Sequence, residues 1–175
     1  MAVRVFTIQV GKWRLAKDRD LKVMDTTVKS GYSIFAPTWD MVLGHKNGSM
    51  DDDTYSQLYR DMLVQSWKSN RQKWMDFLND DDQYALACYC KAGVFCHRHL
   101  LVKFLQQLCK QLDIPFEYYG ELTDDPQLEN PHPVTQLVLP SSGGGGASSA
   151  GSTDQHPVGS GDSDPGQRHG DPGPA

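Results

Sequence analysis

The stretch that decides the fold is YALACYCKAGVFCHRH, residues 84–99. Its first seven residues form a short apolar run between turn signals, which is typical of a buried central strand. A loop containing Gly93 follows, and Cys96-His97-Arg98 then opens an amphipathic helix that Pro115 ends. This order predicts an α/β domain whose polar groups lie beyond the carboxyl end of the strand.

The flanking sequence supplies further strands. Runs rich in β-branched and aromatic residues at 3–10 and 21–28 predict two strands before the central one at 84–90, and residues 116–119 predict a last one. The segment 13–18 is too short for a crossover helix and is expected to be a loop or a single helical turn.

Two helices are predicted between the second and third strands. Aspartates 51–53 offer caps for a helix that runs to about Lys68, and residues 74–78 continue the helical period. Pro37 predicts a long loop over residues 35–50. The order β, β, α, α, β, α, β favours a small three-layer α/β/α sandwich with a mostly parallel central sheet.

Composition divides the chain into three parts. Residues 1–122 form the predicted domain, residues 123–140 are a proline-rich linker, and residues 141–175 hold 10 Gly and 4 Pro with no aromatic side chain. Such a segment cannot bury enough apolar surface to offset its ordering entropy, so we expect a disordered C-terminal tail.

Charge and hydropathy exclude several classes of protein. The first 122 residues carry 16 basic and 15 acidic side chains, which argues against a broad basic face for non-specific nucleic-acid binding. No run of 18 apolar residues and no secretory signal is visible, so we expect a cytoplasmic protein that does not enter a membrane. Its cysteines are then expected to be reduced.

The segment from Cys90 to Arg98 predicts a site for an anion. A helix N-terminus offers free N–H groups, and Arg98 can donate two parallel hydrogen bonds to a phosphate. Cys96 near the N-cap is the candidate nucleophile and His97 the candidate general base or acid. Asp25 after the second strand and Trp39 in the following loop are further candidate ligand-binding residues.

Other readings of the cysteines stay open. Cys88 and Cys90 alternate as packed core residues do, and Cys109 lies on the apolar stripe of the last helix. A zinc site on Cys88, Cys90, Cys96 and His97 is the metal alternative, although no second Cys-x2-Cys or His-x3-His pair accompanies it. No other cofactor is expected. His45 and Lys46 are expected in a solvated loop.

At these residues the chain resembles the "domain of unknown function 488" family, especially its short bacteriophage members, in which case it would act in the host cytoplasm. Residues 86–90 and Cys96-His97-Arg98-His99-Leu100 carry the resemblance, with the strands near residues 6–8 and 21–25. Family members usually have Asp-x-Arg after the second strand. Thr27 stands at the arginine position here, and Lys29 is the residue that can supply its charge to a ligand.

Two functions remain after these observations. One is the binding of a phosphate-bearing ligand, a nucleotide or a nucleic-acid end, with or without a reaction at a cysteine. The other is a non-enzymatic interaction protein, for instance a phage-encoded modulator of a host factor, whose cysteines are structural or hold zinc and whose partner is a protein.

A truncation tests the predicted domain boundary. Removing residues from Ser141 onward should leave the melting temperature within about 2 °C of the full chain, because the removed part has almost no apolar surface to bury. Differential scanning calorimetry of both chains measures the shift. A drop of more than a few degrees would show that the tail stabilises the domain.

Overall fold

The computed structural model describes residues 2–124, and the predictions for the linker beyond Asp124 and for the tail lie outside these residues. The elements are the strands β1 (Val3–Gln9), β2 (Lys22–Asp25), β3 (Gln83–Cys88) and β4 (Phe116–Leu122), the helices α1 (Trp13–Lys17), α2 (Trp39–Lys46), α3 (Asp52–Ser69), α4 (Arg71–Leu78) and α5 (His97–Gln111), and a 3-10 turn at Val10–Lys12 before α1.

The four strands form one sheet in the order β2-β3-β1-β4, and every pairing is parallel. This confirms the α/β fold and the central position of the third strand. The carboxyl ends of parallel strands share one edge of the sheet. The segments after β2 and β3 and the N-terminus of α5 therefore meet at that edge.

The two faces of the sheet are covered unequally. Val5 and Leu86 belong to a large core with α2, α3, α4 and α5. Ile8 and Ala87 point to the opposite face, where a smaller core includes Ala16 of α1. Side chains alternate between the faces of a strand, so neighbouring residues serve different layers. The second helical layer of the sandwich is thin, since it consists of the 3-10 turn and the five residues of α1.

The prediction of a loop over residues 35–50 is wrong in its central part, because α2 occupies Trp39–Lys46. Pro37 lies outside the helix, so its missing N–H costs no helical hydrogen bond. The side chain of Thr38 caps the helix by accepting from the backbone N–H of Met41 at 3.3 Å. The capping Thr38 directly follows the proline, and the helix has only eight residues.

The predicted strands are shortened at the site edge. β2 ends at Asp25 and not at Val28, and β3 ends at Cys88 and not at Cys90. Cys90 therefore belongs to the loop after β3, and the expectation that it shares a straight strand with Cys88 is wrong. The prediction that α5 begins just after Cys96 is confirmed, since Cys96 is its N-cap.

β4 contains a bulge that changes which face its last residues meet. Val5 pairs with Tyr118, but Thr7, two residues further along β1, pairs with Glu121, three residues further along β4. The extra residue turns Glu121 toward the face of Thr7. Gly120 adopts a φ of 95° at this point, a conformation that residues with a Cβ rarely adopt.

The bulge can be tested by adding one methyl group. Gly120→Ala should lower the free energy of unfolding by about 1–3 kcal/mol, because alanine is strained at this φ. Urea denaturation measures the change. Gly11→Ala is the matched control, since an added Cβ there meets no atom within 4 Å and its φ is ordinary. Equal stability of the two variants would contradict the assignment.

Candidate active site

Three cysteines meet at the edge of the sheet. Cys88 ends β3, Cys90 follows in the loop, and Cys96 caps α5. The Sγ atoms of Cys88 and Cys90 are 3.7 Å apart. All four cysteines of the chain lie within residues 2–124 and are free thiols. Cys88 and Cys96 are buried, whereas Cys90 is half-buried, so Cys90 is the most accessible sulfur of the cluster.

The ring of His97 is oriented by the segment after β2. Its Nε2 lies 2.9 Å from the carbonyl oxygen of Thr26 and 3.1 Å from the Thr26 hydroxyl, which itself donates to the carbonyl oxygen of Ala87 at 2.8 Å. A carbonyl oxygen only accepts, so Nε2 carries the proton. In the neutral ring Nδ1 then holds a lone pair, and it lies 3.8 Å from the Sγ of Cys88 and of Cys96.

Arg98 lies behind the cysteines and is 0% exposed. Its Nε and one Nη donate to the two carboxylate oxygens of Glu121 at 3.2 and 2.9 Å. Its remaining N–H groups reach the carbonyl oxygens of Cys90 (2.9 Å) and Lys91 (3.1 Å) and the Sγ of Cys96 (3.4 Å). All five guanidinium donors are engaged. The predicted direct contact between Arg98 and a phosphate would require breaking one of these bonds.

The cysteines differ in ionisation because they hydrogen-bond to one another. Burial disfavours a thiolate at Cys90. Hydrogen bonds from the thiols of Cys88 and Cys96, together with the positive charge of Arg98, outweigh this effect and lower the pKa of Cys90 to about 3. Donation to Cys88 and Cys90 raises the pKa of Cys96. A thiolate is therefore favoured at Cys90 and disfavoured at Cys96. Burial alone raises the pKa of Cys109, in the core of α5, to about 12.

A cavity of about 500 Å³ opens over the cluster. Cys88, Cys90 and His97 line one side of it, and α2 contributes His45 and Lys46. Its walls also include Tyr55 of α3 and Phe95 of the loop before α5. The rings of His45 and Phe95 stack with centroids 4.9 Å apart, and those of Tyr55 and Phe95 meet edge to face at 5.5 Å. The cavity therefore combines aromatic walls, one lysine and a half-buried sulfur.

The predicted site residues divide into two groups. Cys88, Cys90, Cys96, His97 and Arg98 come together at the sheet edge. Asp25 closes its own loop instead, since its carboxylate accepts from the backbone N–H of Thr27 and from the Ser30 hydroxyl, both at 2.7 Å. Burial opposes ionisation of Asp25, yet these bonds lower its pKa. Lys29 and Trp39 are exposed and do not line the cavity.

Several residues of the site were not predicted. His45 and Lys46 were expected in a solvated loop, but α2 brings both to the cavity wall. Glu121 was not singled out, and only the bulge in β4 turns it toward Arg98. Tyr55 of α3 also lines the cavity and was not singled out from the sequence. Thr38, a good N-cap residue, was the one local signal for α2.

The pair formed by Arg98 and Glu121 makes a prediction about stability. Glu121→Gln should lower the free energy of unfolding by about 3–5 kcal/mol at neutral pH, because it leaves a buried guanidinium without its counter-charge. Burial opposes ionisation of Glu121, but hydrogen bonds from His99, Thr7 and Arg98 bring its pKa below the usual 4.5. The stabilisation is therefore complete above pH 4.5 and is lost as the pH falls through the pKa of the folded state.

Chemical denaturation of both proteins between pH 3 and pH 7 measures this difference. Glu117→Gln is the matched control on the same strand, because its carboxylate contacts a tyrosine hydroxyl and not a buried cation. It should change stability by about 0.5 kcal/mol or less. A Glu121→Gln variant as stable as this control at pH 7 would show that the ion pair does not hold the site together.

Comparisons with known proteins identify the family. A family model described as "DUF488-N3a: Active DUF488-N3 subclade" matches residues 7–108, more than half of the chain. No curated protein matches the chain, and no solved structure does. None of the helices within residues 2–124 is long and apolar enough to cross a membrane. The matched range runs from β1 through most of α5 and contains the whole sulfur cluster with its histidine and arginine. The chain therefore belongs to the DUF488-N3a family.

Proposed function

We propose that the cavity binds a nucleotide or the end of a nucleic-acid strand and that Cys90 is the side chain that reacts with it. The observation that carries this proposal is the half-buried sulfur of Cys90 in the wall of a cavity of about 500 Å³. Clefts of roughly 300–1,000 Å³ are the usual size for small-ligand sites. The description of the family as an active subclade agrees with a reaction.

The walls of the cavity suit the base of such a ligand. His45, Tyr55 and Phe95 form a contiguous group of aromatic rings along it. Stacking of a base on an aromatic side chain contributes about 1–3 kcal/mol and tolerates any base. Most of the remaining wall is apolar, including Val42 and Val94, so a planar ligand displaces water from apolar surface when it enters.

The charge for a phosphate comes from α2 and not from Arg98. Lys46 lies in the last turn of α2 and lines the cavity. His45 precedes it and is held by Asp52, whose Oδ1 lies 2.6 Å from Nε2 of the ring. A lysine binds phosphate as a mobile point charge, which fits an exposed position at a cavity wall. We therefore assign the phosphate contact to Lys46.

The catalytic assignment also moves from Cys96 to Cys90. Cys96 is 3% exposed and is absent from the cavity wall, whereas Cys88 and Cys90 both line it. Nδ1 of His97 faces Cys88 and Cys96, so its contacts are with the inner sulfurs and not with Cys90. In a reaction Cys90 would attack an electrophilic atom of the bound ligand, and the leaving group would depart with the bonding electron pair.

Alkylation of the full chain tests the proposal. Iodoacetamide should modify Cys90 first and spare Cys109, which is fully buried. Saturating nucleoside monophosphate or a short oligonucleotide should slow modification of Cys90 by tenfold or more, measured by peptide mass spectrometry, because the occupied cavity shields the sulfur. About a hundredfold excess over the dissociation constant should also stabilise the fold by about 2.7 kcal/mol in thermal unfolding.

Two variants sharpen the experiment. Lys46→Ala should abolish protection by the nucleotide while a nucleoside at high concentration still protects, because only the phosphate contact is lost. Lys68→Ala, at the end of α3 and away from the cavity wall, is the control for the removal of a lysine. An alkylation rate of Cys90 that no nucleotide, nucleoside or oligonucleotide changes would exclude this ligand class and favour the interaction protein.

A further inference from the structure

The three innermost groups of the cluster form an arrangement that the proposed function does not use. The Sγ atoms of Cys88 and Cys96 and a ring nitrogen of His97 all lie within 4.8 Å of one another, and all three residues are buried. They come from the end of β3, the N-cap of α5 and the first residue of α5. We infer that these three groups bind a Zn²⁺ ion whose fourth coordination position faces the cavity.

The spacing of the ligand atoms fits zinc. Nδ1 of His97 is 3.8 Å from each of the two sulfurs. With Zn–S bonds of about 2.3 Å and Zn–N bonds of about 2.0 Å, tetrahedral coordination separates a sulfur and a nitrogen ligand by about 3.5 Å. A contraction of a few tenths of an ångström therefore brings both sulfur–nitrogen pairs to coordination distance.

The surroundings prepare His97 to bind a metal. Its Nε2–H donates to the carbonyl oxygen of Thr26 at 2.9 Å, which leaves the lone pair on Nδ1 pointing toward the sulfurs. Histidine ligands in metal sites are usually held in this way by a carbonyl or carboxylate on the other ring nitrogen. The backbone N–H of Thr26 in turn donates to the carbonyl oxygen of Ala87 at 3.0 Å, so the orienting group is tied to β3.

The charges around the cluster also suit the ion. Zinc with two thiolates and a neutral imidazole has no net charge, so its burial leaves no uncompensated ion. An Nη of Arg98 lies 3.4 Å from the Sγ of Cys96 and can donate to a coordinated thiolate. The guanidinium is balanced by Glu121 and not by the cysteines alone. Two soft sulfurs and one imidazole favour zinc over magnesium or calcium, which prefer oxygen ligands.

The fourth position is open to the cavity. Cys88 and His97 line the cavity and Cys96 does not, so the ion would lie at the cavity floor with its free side toward the ligand space. Cys90 contacts Cys88 at 3.7 Å but is outside the group of three. Three protein ligands and an open position, with two cysteines and one histidine, are characteristic of catalytic zinc sites. Cys90 still lines the cavity beside the ion, and the metal site does not depend on the role proposed for Cys90 above.

Metal analysis of the full chain tests this inference. Protein purified without chelator should contain one zinc per chain, and the chelated protein should take up one Co²⁺ with the intense visible absorption of a tetrahedral site and a sulfur-to-cobalt charge-transfer band in the near ultraviolet. Cys96→Ser and His97→Ala should weaken metal binding by more than about a hundredfold. Cys109→Ser, in the core of α5, is the control and should retain one metal ion.

Cys90→Ser decides the coordination number. It should still bind one Co²⁺ and keep both spectral features, because Cys90 is not a ligand in the three-ligand site. Loss of the metal in this variant would overturn the open fourth position. A full chain that contains no zinc and takes up no Co²⁺ at micromolar concentration would overturn the site as a whole. This readout works on the unmutated protein, so a variant that fails to fold does not obscure the result.

The two proposals fail separately. A zinc-free chain whose Cys90 is still protected by nucleotide refutes only the metal site. A chain with one bound zinc whose Cys90 is alkylated at the same rate with and without nucleotide refutes only the proposed ligand.

Discussion

The buried guanidinium of Arg98 is the group on which the rest of the site depends. A charged side chain with no exposed surface is tolerated only if every donor has a partner and its charge is balanced. Glu121 supplies the charge, and the carbonyl oxygens of Cys90 and Lys91 accept two further hydrogen bonds. Because these two carbonyls belong to the loop after β3, their hydrogen bonds with Arg98 also determine the path of that loop.

The loop in turn determines the spacing of the sulfurs. Its residues 89–95 connect the end of β3 to the N-cap of α5, so the path held by Arg98 brings Cys90 back to within 3.7 Å of Cys88. His97 is held from the other side by Thr26, which is hydrogen-bonded to β3 through both its backbone and its hydroxyl. Three adjacent elements of the sheet edge therefore converge on one cluster. A small displacement of any of these elements would separate the cysteines from His97, and their chemistry requires contact.

The unequal covering of the sheet explains where the cavity lies. One face is filled by α3, α4 and α5 with a large aromatic core, and Trp74, Phe35 and Phe77 pack there edge to face. α2 packs against α3 in this layer. Its His45 and Lys46 line the same cavity as Cys88 and Cys90. The same geometry provides aromatic walls, a cation and a reactive sulfur in one cavity, which is the basis of both proposals.

The site could be anticipated in part from local patterns. A thiol, a histidine and an arginine at a helix start, after an apolar strand, predicted the chemical groups and their place at the carboxyl edge. The patterns did not distinguish an arginine that binds a ligand from one whose N–H groups all bind other groups of the protein. That difference depends on Glu121, which lies 23 residues later in the chain, and on the bulge in β4. Gly120 is the only local feature of the sequence that indicates this bulge. Lys46 and His45 were misjudged because a short helix after a proline resembles a loop.

What the sequence determined by itself was the four strands, the helices α3, α4 and α5, the parallel α/β class and the central strand, since these follow from periodicity, capping and turn propensities within short windows. Tertiary structure decided the rest: which sulfur is accessible, which ring nitrogen of His97 is free, and which cation reaches the cavity. These properties depend on distances between residues that are far apart in the chain. Only the packing of the sheet, its bulge and the helices above it sets those distances.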